Sequence, residues 1–233
     1  MKKLAALISL CLLAGTALAQ NEPEYRLELG GGVGLMAYVG DFNGNPLKGL
    51  RPTGTLIAKF KPNPHMAWNL NLGLGSLTGS STRAGTWYPG LAEHAADFNT
   101  TLVDLAMKYE YNFWPYGTGR EYFGAKRLTP YVTFGLGLAF ANSKLTQNGE
   151  TTKKSTMVGQ LPIGIGLKYK LATRLNLAVE WMMHFTGGDK LDGMGDPYGI
   201  ESSGLFKNTD CYSTLYVTLT YDLWAKCPTC HKE

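Results

Sequence analysis

Apolar and polar positions alternate along this chain with a period of two. The rhythm is cleanest between Arg174 and Phe185, where Leu175, Leu177, Val179, Trp181, Met183 and Phe185 interleave with Asn176, Ala178, Glu180, Met182 and His184. Successive side chains of a strand point to opposite faces, so one face here is wholly apolar while the other carries ionised groups. The same rhythm predicts strands over 25–38, 51–60, 66–77, 99–113, 128–141, 156–171, 174–186 and 212–223. Apolar sheet faces in a soluble protein need helices or a second sheet to cover them, and no helical period is found after the first nineteen residues. Lipid is the simpler cover. An even number of amphipathic strands then predicts an all-β fold, an eight-stranded antiparallel transmembrane β-barrel.

The connections support this. Residues 61–65 and 172–173 read as tight turns, whereas 78–98, 142–155 and 187–211 are long, polar or glycine-rich. Small outer-membrane barrels carry short turns on the periplasmic side and long loops outside, which places both termini in the periplasm. The connector 115–127 departs from the rule, being long on what should be the short-turn rim. On that rim Tyr25, Phe60, Trp68, Tyr111, Phe113, Tyr169 and Tyr221 all fall on the outward face, as a girdle of amphipathic rings at a membrane interface would.

The inward face is rich in glycine (Gly30, Gly32, Gly34, Gly73, Gly75, Gly135, Gly137, Gly164 and Gly166) and in mixed charge (Arg26, Glu28, Lys59, Asp104, Lys108, Glu110, Lys168, Lys170, Arg174, Glu180 and Asp222). Eight strands enclose an interior just wide enough for side chains, so long charged groups need glycines opposite them. The expectation is a plugged polar lumen of paired charges, not a pore.

Residues 1–19 have the layout of a cleaved secretory signal: Lys2 and Lys3, an apolar run from Leu4 to Leu13, and Ala17-Leu18-Ala19 before Gln20. The run is shorter than the about 20 residues a spanning helix needs. Cys11 does not make it a lipoprotein signal, because Leu10 stands where such signals carry a small residue. Three segments follow: signal peptide 1–19, barrel 20–225 and a short periplasmic tail 226–233. Loss of Lys2 and Lys3 takes the formal charge from +4 to +2, too small an excess to argue for nucleic acid, which export disfavours in any case.

Four motifs suggest chemistry and are outweighed. Gly32-Val33-Gly34-Leu35-Met36-Ala37 loosely matches a dinucleotide fingerprint, but turn residues from Val39 to Pro46 follow it instead of a helix. Cys227-Pro228-Thr229-Cys230-His231 fits a haem attachment pattern, yet no segment follows to wrap a porphyrin; a local disulfide or a thiol pair facing a partner is preferred to haem or zinc. Cys211 cannot join that pair, since the strand between them spans about 50 Å at about 3.3 Å per residue. Asp189, Asp192 and Asp196 lack the spacing of a calcium loop and read as solvated. His184 and Glu180 share the inward face and could act as acid and base, but no serine is placed for activation, so they read as an inert lumen network. No metal, cofactor or catalytic site is expected.

Several stretches together resemble the PorG family of small outer-membrane barrels from the type IX secretion and gliding apparatus. They are Leu29–Phe42 (LGGGVGLMAYVGDF), Arg51-Pro52, Lys108–Tyr116 (KYEYNFWPY), Leu128–Phe140 (LTPYVTFGLGLAF), Gly164–Trp181 (GIGLKYKLATRLNLAVEW) and the ending Thr218–Cys227. The resemblance implies a non-enzymatic component that holds a periplasmic ring of secretion subunits, including a lipoprotein, against the outer membrane. It brings no contact map. The candidate partner-binding surface comes from spare length on the periplasmic side: Tyr116, Arg120, Glu121, Tyr122, Phe123, Lys126 and Arg127 in the connector, with Cys227 and Cys230 in the tail. The alternatives are a stand-alone barrel of OmpA or OmpX type acting through its outer loops, and a lipid-modifying barrel enzyme.

Overall fold

The computed structural model describes residues 23–40, 43, 45–80, 96–118, 124–147, 149–188, 191, 193 and 210–225. The signal segment, the tail with Cys227 and Cys230, the loop 81–95 and the aspartates 189, 192 and 196 lie outside the described residues.

Eight strands form the barrel: β1 (Tyr25–Val39), β2 (Arg51–Asn63), β3 (Met66–Ser80), β4 (Ala96–Asn112), β5 (Leu128–Gln147), β6 (Glu150–Lys170), β7 (Leu175–Thr186) and β8 (Cys211–Ala225). Each pairs antiparallel with its sequence neighbours, and β8 pairs with β1 from Tyr25↔Ala225 to Val39↔Cys211, which closes the sheet. Closure removes the unpaired strand edges that would be untenable in hydrocarbon.

Exposure is inverted relative to a soluble protein. Val33 is 72% exposed and Leu136 71%, while Lys108, Glu110 and Asp222 are fully buried. The exposed apolar residues recur on the outward face of every strand, among them Leu56, Leu72, Met107, Ile165, Val179 and Leu219. A continuous belt of this kind exceeds what a soluble monomer tolerates, and it is the surface hydrocarbon requires. The barrel spans a membrane.

One rim, here the terminal rim, carries Tyr25, Ala225 and the tight turns; the opposite one is the distal rim. Aromatic side chains interlock around the terminal rim: Trp68 with Tyr109 (5.3 Å), Tyr109 with Phe134 (5.4 Å) and Tyr111 with Phe113 (5.9 Å).

Several strands run a few residues past the sequence expectation, β3 to Ser80 and β4 from Ala96 among them, and two of the extensions change the picture. The span 142–155 is not a long loop: β5 and β6 run on as a ladder to Gln147↔Glu150. Gly149 has φ of 87°, which suits a tight hairpin turn, and Asn148-Gly149 is the corresponding sequence signal. Apolar alternation stops before this extension because nothing there faces the hydrocarbon core. On β2, pairing continues past residue 60 to Asn63, and that carries Lys61 into the lumen.

The inward glycines make room for large neighbours. A Cβ on Gly166 would lie 2.4 Å from Tyr131 Cζ, and one on Gly73 would lie 2.3 Å from the Asp104 carboxylate. Gly166→Val should therefore destabilise the folded barrel by about 1–3 kcal/mol, measured by urea unfolding in lipid vesicles with gel mobility as the readout. Unchanged stability would mean that Tyr131 does not fill this space.

Candidate functional site

Strand alternation directs five lysines and five carboxylates into the lumen, and the narrow bore forces them together. Glu28 and Asp222 are direct register partners on β1 and β8, an unfavourable juxtaposition by itself. Lys61 resolves it, donating to Glu28 (3.2 Å) and to Asp222. Lys170 reaches the other oxygen of Asp222 at 2.6 Å. Glu110 accepts from Lys59 at 3.0 Å and from Lys168, and Lys108 pairs with Glu180 at 2.7 Å. Asp104 is the fifth carboxylate, buried beside Gly73. Lys59 and Lys168 also lie over the Tyr131 ring, at 5.7 and 5.2 Å.

Arg26 and Arg174, expected among these lumen charges, are not buried with them. Both are exposed; Arg174 lies in the turn before β7, 5.5 Å from the Tyr25 ring, where it joins the interfacial belt. Both have inward parity, but they sit beyond the end of the bore. Lys61 is the residue the sequence reading missed, because it ends β2 at Phe60, although Lys59 and Lys61 share the inward parity.

Above the ion pairs, His184 is buried with its ring nitrogens 2.9 Å from Gln160 Oε1 and 3.1 Å from Thr214 Oγ1, and its ring stacks on Tyr212 at 4.2 Å. Glu180 faces Lys108, so the two do not form an acid–base pair. Further out an apolar plug of Met36, Leu77, Leu102 and Leu191 fills the bore. Leu191 comes from the last distal loop and is pinned through its backbone. Its N–H donates to Asp210 Oδ2 (2.8 Å), and its carbonyl accepts from Thr100 (2.7 Å) and Ser143 (2.6 Å). Among the described residues no group of three His, Cys, Asp or Glu is placed to hold a metal.

The terminal end is closed by the connector. Tyr116 is buried, its hydroxyl donating to Asn176 Oδ1 at 2.8 Å, with Lys168 (4.8 Å) and Lys170 (5.5 Å) over its ring. Burial and the nearby Glu28 and Asp222 carboxylates hold that hydroxyl far above the usual phenol range, so it stays neutral. The connector is clamped at its base. Tyr116 N–H donates to Pro64 O (3.1 Å), Lys126 N–H to Pro115 O (2.7 Å), and Thr118 Oγ1 to Glu24 (2.7 Å). Lys126 lies 4.5 Å over the Trp114 ring, and Arg127 Nε donates to Thr118 O (3.0 Å).

Of the candidate partner-binding residues, Tyr116 is thus a stopper facing the lumen and not a surface contact. Lys126 and Arg127 are exposed at the rim. Arg120, Glu121, Tyr122, Phe123, Cys227 and Cys230 lie outside the described residues.

A family model described as a domain of unknown function, DUF6089, matches residues 2–232. The chain belongs to this family. No curated protein matches the chain significantly. Among solved structures, this DUF6089 member is similar to Neisserial surface protein A, with 10% identity, 84% of this chain and 97% of that one covered, and a TM-score of 0.49. It is also similar to Ail of Yersinia pestis, solved with the heparin analogue sucrose octasulfate (10%, 86% and 99%, 0.49), and to a major outer membrane protein from Thermus thermophilus (13%, 84% and 99%, 0.48). Likenesses at this level carry no argument about what the chain does.

Removing one partner from a buried ion pair strands the other charge and costs about 3–5 kcal/mol. Asp222→Leu should cost that much, since it leaves Lys61 and Lys170 short of an acceptor. Arg174→Ala, at an exposed position, should cost less than about 0.5 kcal/mol. Equal effects of the two in denaturant titrations would contradict this separation of network from rim.

Proposed function

We propose that the chain is a non-enzymatic outer-membrane anchor that holds a periplasmic secretion ring through its terminal rim, with both termini in the periplasm. The observation that carries this reading is the double closure of the lumen by Tyr116 and Leu191 around the ion pairs. Among the described residues a lumen blocked in this way offers neither a channel nor an interior site for substrate, which leaves the rims and outer wall for function. On the terminal rim, where the other turns are tight, the connector 113–127 between β4 and β5 is the long exception. Its connector is fixed at the base by Glu24, Pro64 and Pro115, while Lys126 and Arg127 present exposed charge beside it. Arg120, Glu121, Tyr122 and Phe123 occupy the intervening span with the charged and aromatic side chains that interfaces favour. The resemblance to the PorG family supplies the class of partner, secretion-ring subunits including a lipoprotein.

A second reading, a stand-alone barrel acting through distal loops, is favoured by the β5–β6 hairpin that projects beyond the apolar belt. One exchange separates the two. Replacing 119–123 with five glycine and serine residues leaves the Tyr116–Lys126 clamp in place, so the barrel should insert normally. Co-purification of ring subunits should fall about tenfold or more if the span holds interface hot spots. Full retention of the ring by the inserted variant would remove the terminal rim from the proposal.

A further inference from the structure

On the outward faces of β5 and β6 the register steps from apolar to basic in consecutive pairs: Phe140↔Met157, then Asn142↔Ser155, then Lys144↔Lys153. Phe140 and Met157 are exposed members of the lipid-facing belt. Two lysines directly opposite each other repel and weaken the ladder that carries them, so their pairing asks for an anion between them. The described residues supply none. Lys144 and Lys153 are both exposed, and neither makes an ion pair with any described residue. The nearest carboxylate along the sheet, Asp97, is register partner of Thr146, one outward pair further from the membrane.

Height identifies the anion. Four residues of strand beyond the last apolar pair, at about 3.3 Å each and a tilt near 40°, lift the lysines roughly 10 Å above the hydrocarbon edge. A lysine stem leaning back toward the apolar surface brings its ammonium to the level of lipid headgroups. We infer that Lys144 and Lys153 form a clamp for the phosphate of a membrane lipid in the leaflet at the distal rim. Lys154 is the internal control. It is the register partner of Ser143, whose buried hydroxyl faces the lumen, and so it lies on the other face of the same hairpin. The inference rests on the barrel spanning a membrane but not on the secretion-ring role, nor on which compartment the distal rim faces.

The test is native mass spectrometry of the full detergent-extracted protein titrated with phosphatidic acid or with phosphatidylcholine. The expected result is preferential retention of phosphatidic acid. That preference should drop about fivefold in Lys144→Ala and about 25-fold in the double variant with Lys153→Ala, the loss expected for one and two lysines near an anionic surface. Lys154→Ala, with the same change of net charge, should keep it, and heat-modifiable gel mobility should show all variants folded. Equal loss in Lys154→Ala, no loss in the double variant, or displacement of the lipid by equimolar inorganic phosphate would each overturn the clamp.

Discussion

The width of an eight-stranded bore is the constraint on which the rest of this structure depends. Strand alternation that presents leucine and isoleucine to lipid sends the intervening residues into a space with room for side chains and little else. Charges placed there cannot keep their hydration, so they gather opposite partners within reach, as four of the five described lumen carboxylates do. Lys61 shows the consequence most clearly. It stands between the carboxylates of Glu28 and Asp222, which the β1–β8 register forces into opposition, and Lys170 completes the cluster from β6. The glycines belong to the same solution, since Gly73 and Gly166 leave the volume that the Asp104 carboxylate and the Tyr131 ring occupy.

A filled interior moves function to the outside. The wall meets lipid, the terminal rim carries a connector clamped at its base, and the distal rim carries a hairpin taller than the belt beneath it. Tyr116 and Leu191 play matching parts, each delivered by a loop and each held by hydrogen bonds as much as by packing. His184, the residue with the most obvious chemical promise, is held between Gln160 and Thr214 and stacked on Tyr212, where no substrate reaches it.

The strands were legible because lipid on one side and a crowded bore on the other impose the same two-residue period throughout. Legibility failed where one of those neighbours ends. Beyond Phe140 and Met157 there is no hydrocarbon, so the outward residues turn polar and the β5–β6 ladder passes for a loop, although Asn148-Gly149 marked its turn. At Arg26 and Arg174 the bore ends, so inward parity no longer means burial. The stoppers were hidden for another reason. Tyr116 and Leu191 lie in connections with no period to read, and their place is set by backbone and hydroxyl partners from distant strands, Pro64, Asn176, Thr100 and Ser143.

Chemical access to the lysines tests the sealed lumen most directly. The folded, membrane-embedded protein would be treated with a water-soluble amine-acylating reagent, and modification read site by site by mass spectrometry. Lys59, Lys61, Lys108, Lys168 and Lys170 should be protected until the barrel is unfolded, while exposed Lys126 reacts at once. Labelling of the five lumen lysines in the folded barrel at the rate of Lys126 would show an open, hydrated bore and contradict the account.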